Sequence, residues 1–365
     1  MNLTDVTLRE GDQMPGREYT AEQKVACVRK LDELGVPHIQ PAFPVTGEKD
    51  RTVLEQLSGT TDADIIALAR ALEHDVDVAV DAGADVVETF VSVSDRHLEY
   101  LLGSTREEMI SMLSEAVDHV SDRGVTPHVT LADAFRTEHT DLLEVFEAIP
   151  NVPQITLADS VGVRTPGTVE IFLERLDADV DLDRVGVHFH DDLGCATANA
   201  LVAADAGVGK ADVSVAGLGE RAGNSVLEEV VAAGAVDLGE SFGIETTDLI
   251  PTCRAILDTL EEPYSERKAV LGTKTAEHES GIHTAAMLRD PSTLEPYDPA
   301  RFGGGRRLFF GRSTGAKATH LLLERAGIEA TDYRVDHFND LLATEGPLEL
   351  DAAMDLARET FDSGG

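Results

Sequence analysis

The chain has 365 residues, enough to bury one large core with an appendage, and 68 acidic against 30 basic residues give a formal net charge of −38. That excess excludes nucleic acid and anionic membrane surfaces as partners. With 42% hydrophobic residues spread evenly along it, the chain is a folded protein rather than a disordered acidic tail.

Short β-branched runs alternate with longer helical patterns from the first residues to about Gly239. The strand-like runs are 3–8, 37–42, 65–69, 85–91, 126–131, 154–158, 184–189 and 211–215. Between the first two, "TAEQKVACVRKLDELG" reads as a helix with Thr20 as N-cap, apolar positions at 25, 28, 31 and 34, and a stop at Gly35. Further helices are expected to begin near Ser104, Glu138, Pro166, Cys195 and Ala222, with helix-to-strand turns at Gly83 and Gly207. Eight βα units in about 240 residues is the signature of a (β/α)8 TIM barrel. A doubly wound sheet would need a Gly-rich phosphate turn after its first strand, and "TLREGDQ" is not one.

From about Ile244 the pattern changes to helices with Pro- and Gly-rich connections, among them the Gly303-Gly304-Gly305 run, a linker or turn. The expected organisation is a catalytic barrel over 1–240 and a helical C-terminal extension over 241–365, with no separate regulatory domain. Three widely separated cysteines, Cys27, Cys195 and Cys253, give neither a disulfide framework nor a thiolate metal site. The start "MNLTDVTLRE" has no cationic segment leading into an apolar run, and no window approaches ~18 apolar residues, so the expected location is the cytoplasm.

On a barrel, the chemistry sits at the C-terminal ends of the strands. In "VHFHDDLG" the period of two sends His188 and His190 to one face and Phe189 to the other. Two neutral imidazoles can share a divalent ion if an anionic ligand joins them. By itself the pair reads equally well as two hydrogen-bonded histidines at a strand end. "TLREGDQ" supplies the anion, because strands one, seven and eight are neighbours in a closed barrel and Glu10 then faces the histidines; otherwise Arg9 and Glu10 are a surface ion pair. After strand eight, "AGLGERAGN" offers Glu220, Arg221 and Asn224 on a glycine-rich loop. "LADSVG" ends strand six with Asp159 and Ser160, and "SVSDRHLEYLLGSTREE" follows strand four with Ser94, Asp95 and His97.

Together, "DVTLREGDQ", "VHFHDDLG" and "GLGERAGN" resemble the signatures of the metal-dependent acyl-CoA:2-oxo-acid condensing enzymes, the 2-isopropylmalate, homocitrate and citramalate synthases, with hydroxymethylglutaryl-CoA lyase as a more distant relative. The similarity runs from residue 4 to about 320. It implies that Glu10, His188 and His190 ligate a divalent cation (zinc, manganese, magnesium or cobalt), with Asn224 nearby through water. It implies that Arg9 stabilises the developing enolate oxygen and that His97 lies near the oxo acid; Asp159 and Ser160, at the mouth by their place at the end of strand six, are further substrate-binding candidates with Arg9. "AEHESGIHTAAML" resembles the family's "HxSGIH" segment, which makes His283 the general acid/base reaching into the barrel of a partner subunit, hence a homodimer; His278 is the weaker choice. The implied partners are acetyl-CoA and a small 2-oxo acid, condensed by proton abstraction from the acetyl methyl, attack on a metal-polarised carbonyl and thioester hydrolysis.

The chain departs from that pattern at several places. Ala132 stands where the family's "SxED" has glutamate, Leu294 replaces the tyrosine of "PSTYE" with Tyr297 three residues on, and His128 stands where homocitrate synthases place an arginine. These departures weaken 2-oxoglutarate as substrate, although Glu10 itself resembles the homocitrate synthases and "SDRHLEYLLGSTREE" the isopropylmalate and citramalate branch. A lyase cleaving a 2-hydroxyacyl-CoA and a non-catalytic paralogue are the alternatives. The charge excess implies a protein of a salt-rich cytoplasm, in which screening relieves self-repulsion. The expected outcome is loss of the far-ultraviolet helical signal when the salt is dialysed away and its recovery on readdition; a salt-independent spectrum would refute this.

Overall fold

The structure, a computed structural model, describes residues 1–362 and divides into two compact units, Met1–Tyr264 and the chain from Ser265 onward. In the first, β1 (Asn2–Asp5), β2 (His38–Ala42), β3 (Asp64–Arg70), β4 (Val86–Ser92), β5 (Thr126–Ala132), β6 (Gln154–Asp159), β7 (Val185–Phe189) and β8 (Lys210–Val213) form a closed barrel in sequential order. All its pairings are parallel, and β1 closes on β8 with Thr4 opposite Asp212 and Asp5 opposite Val213. This is the expected TIM barrel.

The helices form where capping and apolar spacing allow. Ala21–Glu33 starts on the capping box of Thr20 and Gln23 and buries Val25, Val28 and Leu31, and Leu34 just beyond is buried too. Arg106–Asp122 starts on a second such box, Thr105 with Glu108. The helix expected from Ala222 begins only at Leu227, because Ser214 bridges to Val226 and the chain between must first loop back over the barrel mouth.

The first unit extends to Tyr264, past the boundary expected near 240, because Leu249–Leu260 buries Leu249, Ile250, Cys253, Ile256, Leu257 and Leu260 within that unit. The second unit is helical, with one feature its sequence did not announce. A small sheet pairs β9 (Glu277–His278) in parallel and β11 (Leu348–Glu349) antiparallel to β10 (Arg307–Phe310). Its core gathers Phe310, Leu322, Phe338, Leu342 and Ala353. The triple-glycine run is a turn, with Gly303 left-handed after Pro299–Phe302 and leading into β10.

Candidate active site

Glu10 reaches the barrel mouth because the first strand stops early. The Asp5 carboxylate accepts the Thr7 backbone N–H at 3.0 Å and the Thr7 hydroxyl at 2.8 Å, and that hydroxyl oxygen accepts Val215 N at 2.8 Å. The chain therefore leaves the extended path expected over 3–8 and curls into the helical turn Thr7–Gly11, which carries Arg9 and Glu10. On β7 the alternation holds: Phe189 turns outward onto Phe135, ring centroids 5.2 Å apart, while His188 faces inward. His190 follows the strand end, where its backbone bridges to Asn224.

The ligand atoms of Glu10, His188 and His190 lie within 4.8 Å of one another, with His188 Nε2 at 3.4 Å from His190 Nε2 and 3.8 Å from Glu10 Oε1. The donor set fits a cation. Asp212 Oδ2 lies 3.1 Å from His188 Nδ1 and accepts a hydrogen bond from its N–H, the tautomer that turns the Nε2 lone pair toward the cluster. Burial, with help from His188, Arg221 and Arg9, pushes His190 down to about 3, which keeps that ring neutral. Glu10 Oε2 and Asn224 Oδ1 are buried without a hydrogen-bond partner.

Beneath the histidines lies a charged network. Lys210 Nζ, 1% exposed, sits 2.8 Å from Glu88 Oε1 and 3.3 Å from Asp212 Oδ1. Burial opposes every charge here, but attraction outweighs it: Asp212 and Glu88 hold the Lys210 ammonium above its ordinary range, and Lys210 and His188 bring Asp212 down to about 2. Glu88 also accepts the Thr130 hydroxyl at 2.9 Å and the Thr156 hydroxyl at 3.2 Å, and pairs with Gln40. Gln40 Oε1 accepts Arg9 Nε at 2.8 Å, and Arg9 pairs with Glu10. Three carboxylates, Glu10, Glu88 and Asp212, thus face two cations, Arg9 and Lys210, and the excess negative charge is one a divalent ion offsets.

A cavity of about 300 Å³ opens here, lined in part by Arg9, Glu10, Ser160, His188, His190 and Arg221. Glu220 lines it as well, and Asn224, 1% exposed, lies beside it. Ser160 Oγ accepts Asp133 N at 2.8 Å. Two residues expected near the oxo acid, Asp159 and His97, are not among the residues lining this cavity. The Asp159 carboxylate is spent on the loop that follows it, accepting Val163 N at 3.2 Å and Arg164 N at 2.8 Å. His97 sits between Ser92 Oγ at 3.3 Å and Asp133 Oδ2 at 3.6 Å. Asp191 and Asp192 shape loops: Asp191 caps Ala196 N at 2.8 Å, and Asp192 takes Arg221 in a two-pronged pair at 2.9 and 3.0 Å. In the second unit, His283 is exposed on Gly281–Met287 and His278 lies on β9.

Sequence reasoning missed Lys210, Glu88, Asp212 and Gln40. Their signal was a charged or amide side chain inside an apolar strand: "KADV" carries two at an interval of two, and "VVETF" carries one.

Residues 1–256 match the HMGL-like family, and 270–344 match the homocitrate synthase post-HMGL domain-like family. The chain belongs to the HMGL-like family. Members of this family generally depend on a divalent metal. Homocitrate synthase AksA of Methanopyrus kandleri is 38% identical over 335 residues, which cover 91% of this chain and 84% of that protein. The 2-isopropylmalate synthase of Sulfurisphaera tokodaii is 35% identical, covering 98% and 95%. The hydroxymethylglutaryl-CoA lyase of Pseudomonas aeruginosa shares the fold, with a TM-score of 0.64 at 20% identity over 72% of this chain and 93% of that one.

His128 lies deeper in the barrel, where burial and then Lys210 push it down to about 4. Unfolded, it titrates near 6.5, so between about 6.5 and 4 the unfolded chain binds more protons and stability falls as pH drops. Urea midpoints of the His128→Gln chain across that window are expected to fall less steeply than those of the parent, by up to about 3 kcal/mol at the acid end. Parallel curves would show that His128 is not held neutral.

Proposed function

We propose that this chain condenses acetyl-CoA with a 2-oxo acid and water to give a 2-hydroxy di- or tricarboxylic acid and CoA. The observation that carries the reading is the convergence of Glu10, His188 and His190 beside Arg9 at the barrel mouth, in a chain whose relatives are named homocitrate and 2-isopropylmalate synthases. Glu10, His188 and His190 would hold a divalent cation, with Asn224 adjoining, and that ion supplies Lewis-acid polarisation of the oxo-acid carbonyl.

Each of the chain's own groups has a part. Asp212 fixes the His188 ring and its tautomer. Arg9, steadied by Gln40, places a fixed positive charge where the acetyl enolate oxygen develops. Ser160, on the cavity wall, offers its hydroxyl to the oxo acid, while His97 and Asp159 hold the loops around it. His283, exposed on the second unit, carries the proton from the acetyl methyl, and it does so in the barrel of a second copy of this chain. Three free thiols and the charge of −38 favour a reducing, salt-rich cytoplasm.

CoA release by the purified chain in high salt, with zinc, manganese, cobalt and magnesium tried in turn, tests the reading. Release that depends on both the oxo acid and the ion is expected; cleavage of a hydroxyacyl-CoA without release would replace it by the lyase. Asp212→Asn should weaken ion binding by about 10- to 100-fold in chelator competition. Arg9→Ala should lower kcat by about 100- to 1,000-fold while ion affinity stays within a few fold. Mixing two inactive chains, His283→Ala and His188→Ala, is expected to restore activity; mixtures that stay inactive would place His283 outside the shared site.

A further inference from the structure

The cavity has two unlike sides. The cluster of Glu10, His188 and His190 comes from β7 and the turn after β1, and the remaining arc of the barrel contributes Phe43, Leu68, Phe90, Ala132 and Ala158, in or just after β2 to β6, with the hydroxyls of Thr130 and Ser160 among them. Phe43 and Phe90 meet edge to face, with centroids 6.0 Å apart, so this wall is packed. An oxo acid that sets its carboxylate and keto oxygen against the polar side turns its side chain toward the apolar wall.

That wall offers no free cation to a second carboxylate. Among the described residues lining the cavity there is no lysine, and both arginines are engaged: Arg9 by Gln40 and Glu10, Arg221 by Asp192. The Thr130 hydroxyl is given to Glu88 at 2.9 Å. The one further cation nearby, Lys210, is already held by Glu88 at 2.8 Å and Asp212 at 3.3 Å, and it does not line the cavity. A distal carboxylate would lose its water and find no unpaired cation, whereas an alkyl group gains from the same contact.

We infer that the oxo acid taken by this site is a monocarboxylate with a small alkyl side chain, seated on Phe43, Leu68, Phe90, Ala132 and Ala158. The inference rests on the condensing reading above and narrows its substrate. A volume of about 300 Å³, at the small end for ligand sites, suits a short branched or unbranched chain beside the acetyl thioester.

The test is CoA release by the full chain with 2-oxoisovalerate, 2-oxobutyrate and pyruvate against 2-oxoglutarate and oxaloacetate. The best alkyl acid is expected to exceed both dicarboxylates in kcat/KM by about 100-fold or more. A dicarboxylate within about tenfold of it, or preferred, would overturn the inference while leaving the condensing reading intact. No release with any acid would overturn the condensing reading instead; calorimetric titration of the manganese-loaded chain then ranks the same acids by binding alone, and tighter binding of a dicarboxylate refutes the alkyl site. Ala132→Arg, at a half-buried position on the wall, should shift the kcat/KM ratio toward 2-oxoglutarate by about tenfold. Should that chain not fold, the parent panel decides by itself.

Discussion

The ammonium group of Lys210, inside the barrel with 1% exposure, ties β8 to Glu88 on β4 and steadies Asp212 two residues along its own strand. Asp212 in turn fixes His188, and β8 is the strand on which β1 closes, bringing Glu10 to the histidines. The cation thus sets both the charge and the posture of the site. Breaking such a buried pair typically costs about 3–5 kcal/mol, because the remaining charge has no water to turn to. Two carboxylates depend on this one lysine, so its loss would fall on the barrel and the cavity together.

Around that fixed floor the polar groups are delivered by short departures from regular structure. The turn Thr7–Gly11 lifts Glu10 above β1. The loop after β8 folds back so tightly that a side chain on Gly223, at φ +90, would lie 1.9 Å from the Gly217 carbonyl oxygen; only glycine lets Asn224 come beside His190 there. Asp191, next to the ligand pair, spends its carboxylate on the first N–H of the following helix and so locks the exit from β7. Strands supply rigidity and these turns supply aim.

Much of this was legible in the sequence. The strands at 85–91, 126–131, 154–158 and 184–189 lie within a residue of those observed because each is a short run rich in β-branched residues between turn signals. That Glu10 can face His188 and His190 followed from barrel closure, a topological rule rather than a local one, while their reading as a ligand set came from the family resemblance. What escaped reading depends on contacts the sequence keeps far apart. Lys210 and Glu88 are separated by 122 positions, and no periodicity links them. Strand one was read too long because Val6, Thr7 and Leu8 continue an alternation that the Asp5 side chain interrupts by capturing Thr7. Asp159 looked like a substrate contact because it ends a strand, yet two backbone N–H groups of its own loop claim it.

The charge pattern gives the site and the surface opposite relations to salt. A chain with a net charge of −38 has few cations to place, and two of its lysines are wholly inside. Lys210 serves the floor of the cavity, and Lys24 Nζ sits 2.5 Å from Asp12 and 2.9 Å from Asp50, beside the turn that carries Arg9. Buried pairs are screened little by dissolved ions, while the exposed acidic coat repels itself unless ions screen it. Withdrawing cations from the surface into the barrel therefore leaves the fold to depend on the medium and frees the site from it. The same withdrawal explains why the cavity wall can be apolar: the positive charge that would have greeted a second carboxylate is already held beneath it, neutralising Glu88 and Asp212.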